Sequence, residues 1–259
     1  MIKKNIYFAS DFHLGTDGRL TSREREKKIV RWLDKIKADA AEIYLVGDIF
    51  DFWFEYKRVV PRGYLRLFGK LRELRDEGIE IFFFTGNHDM WMFDYFEKEL
   101  DIPIYRGPIT KQLGNQQFFI GHGDGLGPGD RGYKFLKKVL ANPICQWLYA
   151  RLHPNFGLWL MQFSSGQSRE MEHGIPQWTG PEREWLAVFA NEYLATKSPS
   201  IDYFIFGHRH LTIDYTLKNG LSRYINLGEW MYTCSYAVFD GKELSIRFFE
   251  NENGKIIKG

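Results

Sequence analysis

Short apolar runs alternate with amphipathic stretches through the first hundred residues. Ile6–Ala9, Glu42–Val46 and Ile79–Phe84 read as short buried strands, and between them Ser22–Lys37 and Gly63–Glu77 carry helical periodicity. Ile29, Leu33 and Ile36 mark the apolar stripe of the first of these helices. Strands alternating with helices imply crossover units and a largely buried sheet. After Leu100 the pattern shifts toward strands, with Gln117–Ile120 as a further apolar run and Asp202–Phe206 as another. Two hairpins are expected near the C-terminus. One joins Leu211–Leu217 to Ser222–Leu227 across Asn219-Gly220, and the other turns at Asp240-Gly241. The expected architecture is one α/β layered domain over residues 1–259, with strands gathered at both ends of the sequence.

The middle of the chain interrupts that pattern. From about Gly125 to Lys197 a glycine-rich opening leads into helical periodicity through Tyr133, Leu136, Val139 and Leu140. The apolar stretch Phe156–Phe163 follows, and a third helix is expected to start near Thr179–Pro181 with Thr179 as its N-cap. Two readings stay open for residues 125–197: ordinary core, or an inserted helical cap whose apolar face touches substrate or membrane.

Composition narrows the class. The chain has 259 residues, 44% hydrophobic and 26% charged, the proportions of an ordinary soluble domain with core enough to fold unaided. Lys and Arg exceed Asp and Glu by two, which argues against a protein that neutralises phosphate backbones; no nucleic-acid partner is expected. Cys145 and Cys234 form neither a disulfide framework nor a zinc ribbon, so a reducing compartment is expected. No apolar run approaches the roughly 18 residues of a membrane span, and no secretory segment is evident. A cytoplasmic location follows as an expectation.

The candidate chemistry lies at the ends of the apolar runs. Asp11-Phe12-His13, Gly47-Asp48, Gly86-Asn87-His88-Asp89, Gly121-His122-Gly123-Asp124 and Gly207-His208-Arg209-His210 each begin where such a run stops. That is where an α/β sheet gathers its ligand-binding loops. Any one of these motifs alone is commoner as a turn or a hydrogen-bonded histidine. Five in this order point to a site of mixed His, Asp and Asn ligands without Cys, suited to Mn²⁺, Fe²⁺ or Zn²⁺. The set is large enough for two ions bridged by a carboxylate, which clamp the oxygens of a displacement at phosphorus and lower the pKa of a bound water. Such chemistry needs no Ser or Cys nucleophile.

These ordered motifs resemble the calcineurin-like metallophosphoesterases, whose pattern is D-x-H, GD, GNH[DE], GH and GHxH; the match runs from Asp11 to His210. The resemblance implies a four-layer α/β sandwich of the metallophosphoesterase type with an inserted helical cap. It also implies that Asp11, His13 and His210 bind one metal, that Asn87, His122 and His208 bind the other, and that Asp48 bridges. His88 would face the substrate phosphate as acid for the leaving oxygen or as a charge stabiliser. Two divalent ions are implied, Mn²⁺ first, with Fe²⁺ or Zn²⁺ as alternatives.

Within that family the chain is similar to the branch that splits UDP-2,3-diacylglucosamine to UMP and a lipid monophosphate in lipid A biosynthesis. Ser10–Gly15, Gly47–Trp53 and the cap position carry this likeness, as do Asp130 and Tyr133 after His122-Gly123-Asp124. It implies a lipid-linked sugar nucleotide as substrate and peripheral association with the cytoplasmic face of the inner membrane. Asp124, Asp130 and Tyr133 are the substrate contacts it suggests, Ser164 is a candidate for a polar contact to the sugar, and Ile144, Trp147, Leu148 and Phe156–Phe163 could line a groove for acyl chains. One departure stands out: the best-known branch has Gly-Asn-Arg-Asp where this chain has His88. Another metallophosphoesterase, acting on nucleotides or small phosphodiesters, is therefore the alternative.

Overall fold

The computed structural model describes residues 4–129, 131–161, 177–196 and 200–259. The strands are β1 (Asn5–Ala9), β2 (Ala40–Val46), β3 (Glu80–Phe84), β4 (Ile104–Tyr105), β5 (Ile109–Leu113), β6 (Gln116–Ile120), β7 (Tyr203–Phe206), β8 (Thr212–Thr216), β9 (Arg223–Leu227), β10 (Ser235–Phe239), β11 (Leu244–Phe248) and β12 (Ile257–Lys258). They form two six-stranded sheets, ordered β11-β10-β1-β2-β3-β4 and β12-β8-β9-β7-β6-β5. β1, β2, β3 and β4 run parallel in the first sheet, as β6, β7 and β9 do in the second. The two expected hairpins form as β8–β9 and β10–β11.

Three apolar clusters stack these elements into four layers. Helices α1 (Ser22–Ile36), α2 (Leu65–Asp76) and α3 (Tyr95–Leu100) bury Ile29, Trp32, Leu33, Leu67, Leu71 and Phe96 against one face of the first sheet. Ile6, Phe8, Tyr44 and Val46 on its other face meet Phe118, Ile120, Ile205 and Leu227 of the second sheet. Beyond the second sheet lies α7 (Trp185–Thr196), whose Leu186, Ala187 and Ala190 are fully buried against Phe204, Phe206 and Tyr224. Helix α1 starts where the chain predicts, because Thr21 and Glu24 close a capping box at its first turn.

Three helices stand apart from this sandwich: α4 (Arg131–Leu140), α5 (Pro143–Tyr149) and α6, whose described part covers 154–161. Helix α4 buries no residue. Tyr149 of α5 joins Phe52, Phe54 and Trp91 in a small satellite cluster, against which Leu140, Leu158 and Met161 also pack. Among the described residues, no helix is long and apolar enough to cross a membrane.

Two expectations need correction. Helix α7 lies within 125–197 but is an outer layer of the sandwich rather than part of a cap. Its start is also later than Thr179: Gly180 adopts φ +97°, and the turn closed by Arg183 and Glu184 amides on the Gly180 carbonyl delays the helix to Trp185. Asn142, not anticipated as a cap, accepts from the Ile144 amide at the start of α5 and separates that helix from α4.

Candidate metal centre

The five motifs occupy the loops just after β1, β2, β3, β6 and β7, so parallel strands of both sheets deliver them to one rim. Cross-links between the loops set their register. The Asp11 amide donates to Gly47 carbonyl at 3.0 Å and the His13 amide to Asp48 carbonyl at 2.9 Å. The His208 amide points at the Asp11 carboxylate, 3.1 Å from Oδ2. Asp11, His13, Asp48, His208 and His210 all adopt positive φ, between 44° and 69°. Backbone strain of this kind, about 1–3 kcal/mol per residue, collects where function demands it. Gly86 and Gly207 permit the close approach, since a Cβ at either would run into the Asp48 or Asp11 carboxylate.

Asp11, His13 and His210 form one group of converging ligand atoms, and Asp48, His122 and His208 form another. The atoms facing each other make poor hydrogen-bond partners for themselves. His122 Nδ1 lies 2.9 Å from the Val46 carbonyl, which only accepts, so that nitrogen carries the proton. Its Nε2 then faces Asp48 Oδ2 at 3.1 Å and Asn87 Oδ1 at 3.2 Å, three acceptors around one point unless His122 is charged. In the other group His13 Nε2 and His210 Nε2 are 3.0 Å apart, with Asp11 Oδ1 3.2 Å from the latter. Two nitrogens bound at right angles to one ion, each about 2.1 Å from it, would stand about 3.0 Å apart. The residues present fit divalent cations.

Electrostatics point the same way. Burial would raise Asp11, but hydrogen bonds from His13 and His210 and the charge of His122 hold its carboxyl well below the usual range. Asp48 is likewise pulled down, against burial, by the charges of His122, His88 and His13. Burial works to lower His13, yet the Asp11, Asp51 and Asp48 carboxylates carry it up to about 10. His122 is raised against burial by Asp48, whereas burial and the charge of His122 push His208 down to about 4. The carboxylates of the site thus favour positive charge at His13 and His122.

His88 belongs to a third arrangement. Its amide donates to Asp48 Oδ1 at 2.9 Å, and its Nδ1 lies 3.0 Å from the Asp51 carbonyl. A carbonyl cannot donate, so Nδ1 bears the hydrogen and Nε2 is left as the reactive nitrogen. Asp124 is buried, with Tyr133 Oη at 2.6 Å and Lys137 Nζ at 2.5 Å from its Oδ2. The structure thus brings Asp124 and Tyr133 together beside His122 and His208. Asp130 and Ser164 lie outside the described residues.

Three supporting residues had no assigned role from sequence. Asp89 accepts from the amides of Gly86 (2.7 Å), Ile49 (2.8 Å), Asp48 and Phe50, stitching the Asp48 loop to the Asn87–His88 loop. Burial, and then the Asp48 charge, raise it to about 7. Asp51 comes within 3.6 Å of His13 Nδ1 and 3.9 Å of His88 Nδ1. Fully buried Arg25 donates to the carbonyls of Phe12, His13, Thr16 and Leu20. Asp89 and Asp51 sit inside the motifs and could have been found there; Arg25 reads as a solvated charge on a helix.

A rim of His and Asp on two facing mixed sheets defines a metal-dependent phosphoesterase. The calcineurin-like phosphoesterase profile matches residues 4–211, and the chain belongs to that family, whose members hydrolyse phosphoester bonds with divalent metals. It is 40% identical over 262 residues to a Porphyromonas gingivalis protein named UDP-2,3-diacylglucosamine hydrolase, covering 96% of this chain and 99% of that one. An Aeromonas salmonicida protein of the same name is 28% identical over 86% of this chain and 85% of its own. Among solved structures, the E. coli phosphoesterase Yfce aligns with TM-score 0.48 and 16% identity, over 95% of this chain and 93% of that one.

Proposed function

We propose that this chain hydrolyses the pyrophosphate bond of UDP-2,3-diacylglucosamine, giving UMP and 2,3-diacylglucosamine 1-phosphate in lipid A biosynthesis. The observation that carries the reading is an apolar rim beside a polar metal centre. Ile144, Trp147 and Trp159 are 68%, 56% and 57% exposed on α5 and α6, where Leu148 and Phe156 are exposed as well, as is Phe135 on α4. Large apolar side chains held in solvent suit a diacylated substrate, and soluble monomers seldom expose so many together. Lys138 and Arg151 accompany them, Arg151 lying over the Trp147 ring, which suits anionic headgroups and peripheral association with the inner membrane. The name carried by the relative that shares 40% of its residues points to the same substrate.

Asp11, His13 and His210 are assigned to one divalent ion, Asn87, His122 and His208 to a second, and Asp48 to both. Mn²⁺ is the preferred ion, with Fe²⁺ and Zn²⁺ as alternatives. Bound there, two such ions polarise the phosphoryl oxygens and activate water near neutral pH. His88 presents Nε2 to the phosphate, with its Nδ1 hydrogen committed to the Asp51 carbonyl; when the ring also carries a proton on Nε2, it hands that proton to the leaving oxygen or stabilises its charge. Tyr133 and Lys137, gathered on Asp124, are assigned to substrate contacts, as are Asp130 and Ser164.

A product assay on UDP-2,3-diacylglucosamine, beside bis-p-nitrophenyl phosphate, each with Mn²⁺ and with chelator, tests this reading. UMP release only in the presence of metal is expected. Hydrolysis of the small diester without any release of UMP from the lipid substrate would refute it.

A further inference from the structure

His88 and His208 open onto two different cavities. Asn87 and His88 share theirs with Phe52, Trp91, Leu140 and Met161, an apolar lining continuous with α4 and α6. The second cavity, about 360 Å³, is bounded by Gly125, Leu126, Arg183, Trp185, Val188 and His208. We propose that this second cavity receives the nucleoside half of the substrate, a planar heterocycle on a ribose, an inference that rests on the substrate reading above. A diphosphate lying across the metal centre sends its two ends in different directions. The His88 cavity, about 30 Å³, is too small for a base and ribose, and the exposed apolar helices beside it suit the lipid end, which leaves the larger His208 cavity for the nucleoside.

The walls match that occupant. The Trp185 ring carries the Arg209 guanidinium 4.2 Å from its centroid, and Arg209 is in turn held by buried Glu184 at 3.0 Å. The ring is therefore a fixed aromatic surface, and stacking on such a surface recognises any nucleobase. Leu126 and Val188 add apolar contact, while Arg183 and Glu182 place polar groups at the mouth. The loop that carries Leu126 turns through positive φ at Gly125, Gly127 and Gly129, and Gly125 and Gly129 border the cavity beside it. A Cβ at Gly127 would strike the Trp185 carbonyl. Lys134 pins the loop by donating to the Gly127 carbonyl. The volume falls at the low end of small-ligand pockets, about 300–1,000 Å³.

The test uses UMP and inorganic phosphate as inhibitors of bis-p-nitrophenyl phosphate hydrolysis by the Mn²⁺-loaded protein. Phosphate probes the metal centre alone, whereas UMP also probes the cavity. In the wild type UMP should inhibit more tightly than phosphate. The ratio of the two inhibition constants should fall about tenfold or more in Trp185→Leu, the scale of one lost base stack. Val188→Phe, which fills the cavity without removing the ring, should give the same fall even if Trp185→Leu folds poorly. A ratio unchanged in Val188→Phe, or UMP no tighter than phosphate in the wild type, overturns the proposal. The two readings separate cleanly: the ratio can shift as expected while the wild type fails on the lipid substrate, or the reverse.

Discussion

Replacing Arg25 should damage the metal centre although its side chain touches none of the candidate ligand atoms. The guanidinium reaches the carbonyls of Phe12 at 2.7 Å, His13 at 2.6 Å, Thr16 at 2.5 Å and Leu20 at 3.2 Å, with no solvent exposure. It closes the loop that holds Asp11 and His13 at φ 54° and 44°. Hydrogen bonds to a charged donor are worth about 1.5–3 kcal/mol each, so the gross gain of four is roughly 6–12 kcal/mol. Burying the cation takes back several kcal/mol of that. Arg25→Leu should therefore cost about 3–5 kcal/mol of stability, the usual scale when one side of a buried charged network is removed. The strain at Asp11 and His13, about 1–3 kcal/mol each, then goes unopposed and the loop relaxes. Mn²⁺ affinity should fall roughly 10–100-fold, as it does when residues supporting metal ligands are lost. Arg25→Lys, with a point charge in place of the planar fork, should fall between the two. Urea unfolding gives the first number, and calorimetric titration of Mn²⁺ into chelator-stripped protein gives the second. A folded Arg25→Leu protein that binds Mn²⁺ as tightly as the wild type would refute the reasoning.

Arg25 also marks the limit of what the sequence discloses. The candidate ligands were legible because each is a polar motif that stops an apolar run, and a strand end is a place the chain cannot disguise. β1, β2 and β3 were visible for the same reason, being compact and buried on both faces. β5 was not: its Ile109–Leu113 segment mixes Thr, Lys and Gln into an edge strand with half-exposed positions. β4 and β12 are two residues each and exist only because a neighbouring strand pairs with them. The start of α7 is displaced because Thr179 and Pro181 mimic a helix opening, while Gly180 and the turn closed on its carbonyl delay the actual one. The exposed face of α4 to α6 looks like core in one dimension, since apolar spacing does not say whether a partner surface exists. Arg25 fails for the opposite reason: a charged residue on a helix with a charged face gives no hint of burial.

The remaining predictions bear on the site itself. Asp48→Ala should lose at least one metal and nearly all turnover; plasma mass spectrometry beside rate measurements checks it, and full activity would sink the two-ion assignment. His88→Ala should lower kcat by roughly 10²–10⁴ with metal content unchanged. Loss of an ion from that variant would move His88 among the ligands. Polar residues at Trp159 and Leu160 should lower kcat/KM for the lipid substrate, each desolvated methylene being worth about 0.8 kcal/mol. Cleavage of bis-p-nitrophenyl phosphate is the reference, and equal losses on both substrates would count against an acyl-binding role. The last prediction concerns pH. Protons and ions compete for the same nitrogens, because a histidine must shed its proton before it can ligate. Carboxylates around His13 outweigh its burial and lift it from 6.5 to about 10 in the metal-free fold. A group raised on folding stabilises the fold fully below its unfolded value and loses that contribution as pH climbs through the folded one. Asp11 and Asp48 are held low, so their contribution is already complete above the ordinary carboxylate range and does not change in this window. Chelator-treated protein should therefore become less stable as pH rises from 6.5 toward about 10, while its affinity for Mn²⁺ increases over the same interval. Urea midpoints and Mn²⁺ titrations at neutral and mildly alkaline pH measure both. A chelated protein that gains stability on the alkaline side, or a Mn²⁺ affinity indifferent to pH, would show that His13 does not carry the proton the ion displaces.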